Sequence, residues 1–229
     1  MNYYSLNYNS SLVGFLGAVR KGLAPDRGLY FPEKIPLLSQ DFINNITNFS
    51  NHELALNVIS PFVENDIPKE RLKSIIAESL NFDFPIIPIT DSIASLELFQ
   101  GPTLAFKDVG ARFMSRCLAY AHEVEKQKNL TILVATSGDT GGAVADGFFK
   151  VEGIDVVILY PKGKVSEVQK KQLTTLGENI TAIEINGTFD DCQNMVKAAF
   201  IDPQITKNVA LTSANSINIA RWLAQMFYY

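Results

Sequence analysis

The sequence predicts an α/β fold: a small open parallel sheet flanked by helices over residues 96–229, preceded by a mainly helical amino-terminal domain over residues 1–95. Two observations carry this. From Leu130 onward short apolar runs rich in branched residues alternate with longer helical patterns, the mark of strand and helix units in a parallel sheet. Before that point Pro36, Pro61 and Pro68 divide the chain into helical pieces with no such alternation.

Taken in order, Gly28-Leu29-Tyr30-Phe31-Pro32 reads as a turn followed by a short extended piece. Residues 69–80 read as a helix, with Leu72, Ile75, Ile76 and Leu80 at helical spacing and Pro68 suited to its start. Residues 81–88, with two prolines, read as an extended connection. Residues 109–127 form the next predicted helix, with Val109, Phe113, Cys117, Tyr120 or Ala121, and Val124 on one face. The predicted strands then cover residues 131–135, 156–160, 180–185 and 209–212, and the helices between and after them residues 141–150, 166–177, 188–200 and 215–229. Ser166 and Gln169 have the spacing of a reciprocal cap, and Gly177 closes that helix. Right-handed crossovers would place helices on both faces of the sheet.

At 229 residues the chain can bury a substantial core in one or two domains, and its 47% hydrophobic and 19% charged content is that of a globular protein. The net charge of −4 provides no basic footprint, so nucleic acid is not an expected partner. No apolar run is long enough to span a bilayer, and Met1-Asn2-Tyr3-Tyr4-Ser5 lacks the start of a secretory signal, so the expected location is cytoplasmic. Cys117 and Cys192 fall on helix faces that look buried, and His52 and His122 are isolated, so neither a disulfide nor a metal site is expected.

The chemistry centres on Gly101-Pro102-Thr103-Leu104-Ala105-Phe106-Lys107-Asp108. Leu104, Ala105 and Phe106 are expected to desolvate Lys107, and the start of the following helix adds positive potential; both favour the neutral amine, the form that attacks a carbonyl. Read alone, a lysine in this position is more often a snorkelling surface lysine beside a helix start. In open parallel sheets ligands bind beyond the carboxyl ends of the strands. The first loop there is Thr136-Ser137-Gly138-Asp139-Thr140-Gly141-Gly142, whose glycines, hydroxyls and following helix suit a phosphate or carboxylate. It is neither a dinucleotide fingerprint nor a Walker loop, and it reads equally as a capped strand-to-helix turn. Asp139 is out of place beside an anion and is better set against a phenol or ring nitrogen. The fourth loop, from Thr212 to Arg221, holds Asn215, Ser216 and Asn218 at a helix start, with Arg221 offering a forked donor to a phosphate. Pro161-Lys162-Gly163-Lys164 adds two cations above the same edge.

The lysine segment (residues 96–108), residues 135–143, 159–164 and 213–221, with the stretch around Gly28, together resemble the amino-terminal half of the bacterial threonine synthase family, pyridoxal-phosphate enzymes of fold type II. The resemblance covers nearly the whole chain. It implies that Lys107 holds pyridoxal 5′-phosphate as a Schiff base, that Asp139 lies beside the cofactor's phenolic oxygen, and that Ser137, Thr140, Asn215, Ser216 and Arg221 hold the substrate's carboxylate or phosphate. The implied reaction turns O-phospho-L-homoserine and water into L-threonine and phosphate. Family members continue for roughly as many residues again, and that part includes a second cradle for the cofactor phosphate. The large domain is therefore expected to be incomplete and to expose apolar surface, its last helix being apolar on most sides, and this chain alone is expected to bind the cofactor weakly or not at all. A threonine dehydratase, an O-acetylserine-type synthase, or a non-catalytic domain binding a small anion or a partner remain open alternatives, as does the oligomeric state.

Overall fold

A computed structural model describes residues 1–229 except Glu64, Gln127, Lys128 and Tyr229. The chain opens with β1 (Tyr3–Ser5), then α1 (Phe15–Lys21) and β2 (Tyr30–Pro32), and the two strands pair antiparallel. Tyr3 and Tyr30 point inward, and the Tyr3 hydroxyl donates to the Phe62 carbonyl at 2.8 Å. Asp26 gathers the returning loop: its carboxylate accepts from Ser5 Oγ at 2.6 Å and from the amides of Asn9 and Gly28 at 2.9 and 3.0 Å. The expected turn at Gly28 has a steric cause, since a Cβ there would lie 2.0 Å from Ser5 Oγ.

Next come α2 (Gln40–Asn44), a single 3-10 turn (Ile46–Asn48), α3 (Asn51–Val63) and α4 (Lys69–Ser79). Pro61, read from the sequence as a separator, lies inside α3. It sits in the last turn, where the carbonyl deprived of an amide belongs to exposed Asn57 and can face water. In α4 the predicted apolar face is the one that is buried: Leu72, Ile75 and Ile76. The predicted extended connection is instead half of a hairpin, β3 (Ile86–Thr90) with β4 (Ile93–Leu96). All of β3 is exposed, Ile86 at 69% and Ile89 at 65%, so there is no inward and outward alternation by which the sequence could announce it.

The lysine segment leads into α5 (Asp108–Glu125), which ends at Lys126 in the left-handed conformation. Gln127, the last residue of the predicted helix, lies outside the described residues. The remainder alternates as expected: β5 (Leu130–Ala135), α6 (Asp139–Phe148), β6 (Ile154–Pro161), α7 (Glu167–Thr174), β7 (Ile180–Ile185), α8 (Phe189–Ile201), the short α9 (Pro203–Thr206), β8 (Ala210–Thr212) and α10 (Ile219–Leu223). The four strands pair in parallel in the order β7-β6-β5-β8. Ser166 and Gln169 form the reciprocal cap of α7, and Thr188 with Asp191 caps α8 in the same way.

The predicted final helix is shorter than expected. Residues Asn215 to Asn218 make a turn, Asn218 caps α10 by accepting from the Ala220 amide, and α10 passes into a 3-10 helix (Ala224–Tyr228). Tyr229 lies outside the described residues. The apolar side chains of this segment pack on three sides within the chain. Trp222 stacks on Phe31 at 5.8 Å, Phe227 meets Phe113 edge-on at 5.5 Å, and Tyr228 meets Phe84 at 5.4 Å. One cluster of buried apolar residues runs from Tyr3 through α1, α3, α4 and α5 into the strands and out to Tyr228. Cys117 and Cys192 are buried and unpaired with each other. Among the described residues no helix is long and apolar enough to cross a membrane.

Candidate active site

Lys107 is the residue that caps the amino terminus of α5, and Asp139 is the first residue of α6. Both helices begin at the carboxyl edge of the parallel sheet. They approach closely because small side chains meet between them: Ala111 of α5 and Ala143 of α6 are fully enclosed in a cluster with Ala105. Arg116 then donates to the Gly147 carbonyl at 2.7 Å, and Arg112 lies 3.5 Å from Asp146, locking the two helices in register. As a result Lys107 Nζ reaches Asp139 Oδ2 at 2.8 Å. The ammonium also sits 4.4 Å from the centre of the Phe106 ring.

This setting differs from the one expected from sequence. Leu104 and Phe106, counted on to desolvate the amine, are exposed at 70% and 43%; only Ala105 is buried. Leu104 takes a left-handed φ of 62° that turns its side chain outward. What organises the loop is Asp108. It is buried, and it accepts from the Thr103 amide at 3.0 Å and from the Thr103 hydroxyl, folding the segment back over the start of α5. Burial raises its carboxyl above the ordinary value, opposed by the two Thr103 bonds. Gly101 must be glycine here, since a Cβ would lie 2.4 Å from Asp108 Oδ2.

Beside this pair lies a cleft of about 600 Å³ lined by the first loop from Ala135 to Thr140, by Asn215, Ser216 and Ile217 of the fourth loop, and by Gln169, Phe189 and Gln193. The structure therefore brings Ser137, Asp139, Thr140, Asn215 and Ser216 to one cavity, with Lys107 attached to it through Asp139. The first loop is braced from within: the Thr136 hydroxyl accepts from the amides of Gly138 and Gly141 at 3.2 and 2.9 Å. Thr136 thus acts as the structural residue of the loop and leaves Ser137 and Thr140 to face the cleft.

Arg221 is placed otherwise than the fork expected from sequence. It is 1% exposed, its guanidinium donates to the Ala214 carbonyl, and its Nε has no hydrogen-bond partner among the described residues. Burial lowers its pKa to about 10, so it stays charged at neutral pH. Its backbone packs against α5 at Gly110, where a Cβ would lie 2.9 Å from the Arg221 carbonyl oxygen. Arg221 therefore holds the fourth loop from behind. Asn218, also a candidate donor, is fully buried and gives its amide to the Val19 carbonyl at 2.7 Å. Lys162 and Lys164 do not line the cleft; Lys162 lies 4.0 Å from Glu184.

Gln169, read from the sequence only as a cap, and Phe189 and Gln193, not singled out there, also line the cleft. They come from α7 and α8, and the available signal was the cap at Ser166: a helix capped at the carboxyl edge of the sheet presents its first turn to the same cleft.

The residues present fit pyridoxal phosphate at its aldehyde end. A lysine amine lies 2.8 Å from a carboxylate that lines the cleft, hydroxyls and amides at the start of α6 face that cleft, and a buried guanidinium lies behind the fourth loop. Among the described residues no second glycine-rich cradle faces the same cavity.

The chain is similar to known proteins along its whole length. Residues 2–80 match the family described as threonine synthase N terminus, and residues 91–228 the family described as pyridoxal-phosphate dependent enzyme. A threonine synthase of Buchnera aphidicola subsp. Baizongia pistaciae (strain Bp) is 46% identical over 230 residues, and one of Escherichia coli (strain K12) is 42% identical over 229; each alignment takes in 100% of this chain and 53% of the relative. Among solved structures, threonine synthase from Escherichia coli superposes with a TM-score of 0.91 at 42% identity, covering 100% of this chain and 53% of that one. A pyridoxal-phosphate-bound threonine synthase from Brucella melitensis superposes with a TM-score of 0.93 at 38% identity, covering 100% and 50%. The chain spans about half the length of the curated relatives it matches.

Proposed function

The chain belongs to the pyridoxal-phosphate-dependent enzyme family, and from that premise we propose that it supplies the lysine-bearing part of a threonine synthase, acting on O-phospho-L-homoserine and water to give L-threonine and phosphate. The observation that carries this reading is the position of Lys107. Its amine lies 2.8 Å from a loop whose hydroxyls share one cleft with Asn215 and Ser216.

In this reading Lys107 Nζ is the amine that takes the cofactor's aldehyde. Asp139, already within reach of that amine, is set to meet the cofactor's phenolic oxygen. Once bound, pyridoxal phosphate supplies a ring that accepts the electron pair left on the substrate's α carbon. Lys107 would take protons from the substrate's α and β carbons and return them at the α and γ carbons, while phosphate leaves the γ carbon and the hydroxyl of water adds at the β carbon. The hydroxyls of Ser137, Thr140 and Ser216 and the amide of Asn215 orient the substrate's carboxylate and phosphate. The amides at the start of α6, at the positive end of its dipole, favour the same negative groups. Arg221 contributes its charge from beneath and fixes the loop through Ala214 rather than touching the substrate.

Incubation with excess pyridoxal phosphate, reduction with borohydride and peptide mapping is expected to place the label on Lys107. Label spread over exposed lysines with none on Lys107 overturns the assignment. Phosphate release from O-phospho-L-homoserine, measured against ammonia release from threonine, separates the synthase from a dehydratase.

A further inference from the structure

We propose that Asp139 withholds the lone pair of Lys107, so that the same carboxylate that lines the cleft sets how readily the amine reacts with an aldehyde. The inference deepens the reading given above and rests on Lys107 being the cofactor's amine. Its basis is geometric. Nζ lies 2.8 Å from Asp139 Oδ2 and is flanked by the Phe106 ring at 4.4 Å, two contacts that both hold an ammonium. The Lys107 side chain is 20% exposed, whereas that of Asp139 is 48% exposed. The carboxylate is therefore the member of the pair that solvent, or a donor entering the cleft, can reach and draw away.

The chemistry follows from proton count. An ammonium has no lone pair, so a carbonyl carbon is attacked only after Nζ gives up a proton and turns out of its 2.8 Å contact with Asp139 Oδ2. A ligand offering its own donor to Asp139, such as a phenol, would release Nζ as it binds. Asp139 would then couple entry of the ligand to activation of the nucleophile. In this role Asp139 is a positioning residue, acting through Lys107.

Trace acetylation by acetic anhydride reads the amine directly, without cofactor or activity. Nζ attacks the anhydride carbonyl, a C–N bond forms, acetate leaves and the proton passes to buffer. The rate at Lys107 is compared by peptide mass with that at exposed Lys164 in the same chain. Asp139→Asn is expected to raise the Lys107 to Lys164 ratio about five-fold, the most that a half-exposed ion pair can hold back. In the unaltered chain the ratio is expected to rise as salt is increased from about 0.02 M to about 0.5 M, which screens the pair, and to be flat with salt in Asp139→Asn. An unchanged ratio in the variant, or a salt-independent ratio in the unaltered chain, overturns the proposal. The salt series stands even where the variant folds poorly. Failure here would leave the borohydride label on Lys107 intact, so the two readings fail separately.

Discussion

Replacing Asp108 by alanine tests whether this one carboxylate shapes the lysine segment. The side chain accepts from the Thr103 amide and the Thr103 hydroxyl, and both donors would be orphaned in Asp108→Ala. A buried donor left unpaired costs about 1–3 kcal/mol, and Thr103 is only half-buried, so the lower part of that range applies to each. Removal of a carboxylate whose burial is itself unfavourable offsets part of the loss, leaving a net of about 2 kcal/mol. For a chain of this length that corresponds to a fall in Tm of about 4–8 °C. Asp108→Asn should behave differently, because its carbonyl can still accept from the Thr103 amide while the Thr103 hydroxyl turns to accept from its NH2. Burial holds the Asp108 carboxyl above its unfolded value. Its contribution is therefore fully present below the unfolded pKa and is lost as pH rises through the folded one. The Asn variant, which cannot ionise, should gain on the unaltered chain between acid and neutral pH. Thermal unfolding at a series of pH values, with the rate of tryptic cleavage after Lys107 as the local probe, checks all three expectations. An alanine variant as stable and as trypsin-resistant as the original, or an asparagine variant no better than alanine, would refute the reasoning.

The remaining predictions concern how the site is held. Gly110→Ala places a Cβ 2.9 Å from the Arg221 carbonyl and 3.1 Å from Arg221 Nε, and should cost about 1–3 kcal/mol through separation of α5 from α10; an unchanged denaturant midpoint would show that the two helices yield freely. At the amino terminus, the bond from Ser5 is the largest cause of the lowered Asp26 carboxyl, followed by the Gly28 and Asn9 amides that oppose its partial desolvation. That stabilisation is present above the unfolded carboxylate pKa and is lost as pH falls through the lowered one. Asp26→Asn should therefore melt below the unaltered chain at neutral pH, and the gap should close on acidification; a gap independent of pH would contradict it.

Much of the sheet could be read in advance because a central strand is a continuous apolar run, residues 156–160, and some helices carry their own capping signal, as at Ser166 and Gln169. The exposed β3 strand gave no such pattern, since nothing buries one of its faces. The setting of Lys107 was legible only as a position. Its neighbours in sequence, Leu104 and Phe106, face outward, and its true neighbour, Asp139, lies in another helix brought close by Ala111 and Ala143. Arg221 shows the same limit: helical spacing put it on the face of Asn218, but whether that face meets the cleft or the core depends on Gly110 in a distant helix.

The phenol of Tyr228 donates to the carbonyl of Phe106, the peptide that immediately precedes Lys107, and Arg221 rests on Gly110 just beyond it. A nascent chain emerging from the ribosome would thus have made β5 to β8 before this anchor on the lysine segment could form. Such ordering predicts that arrest peptides placed soon after β8 give a compact intermediate in which the lysine segment is not yet pinned, and that Lys107 is fixed in place only once the segment from Arg221 to Tyr228 has emerged.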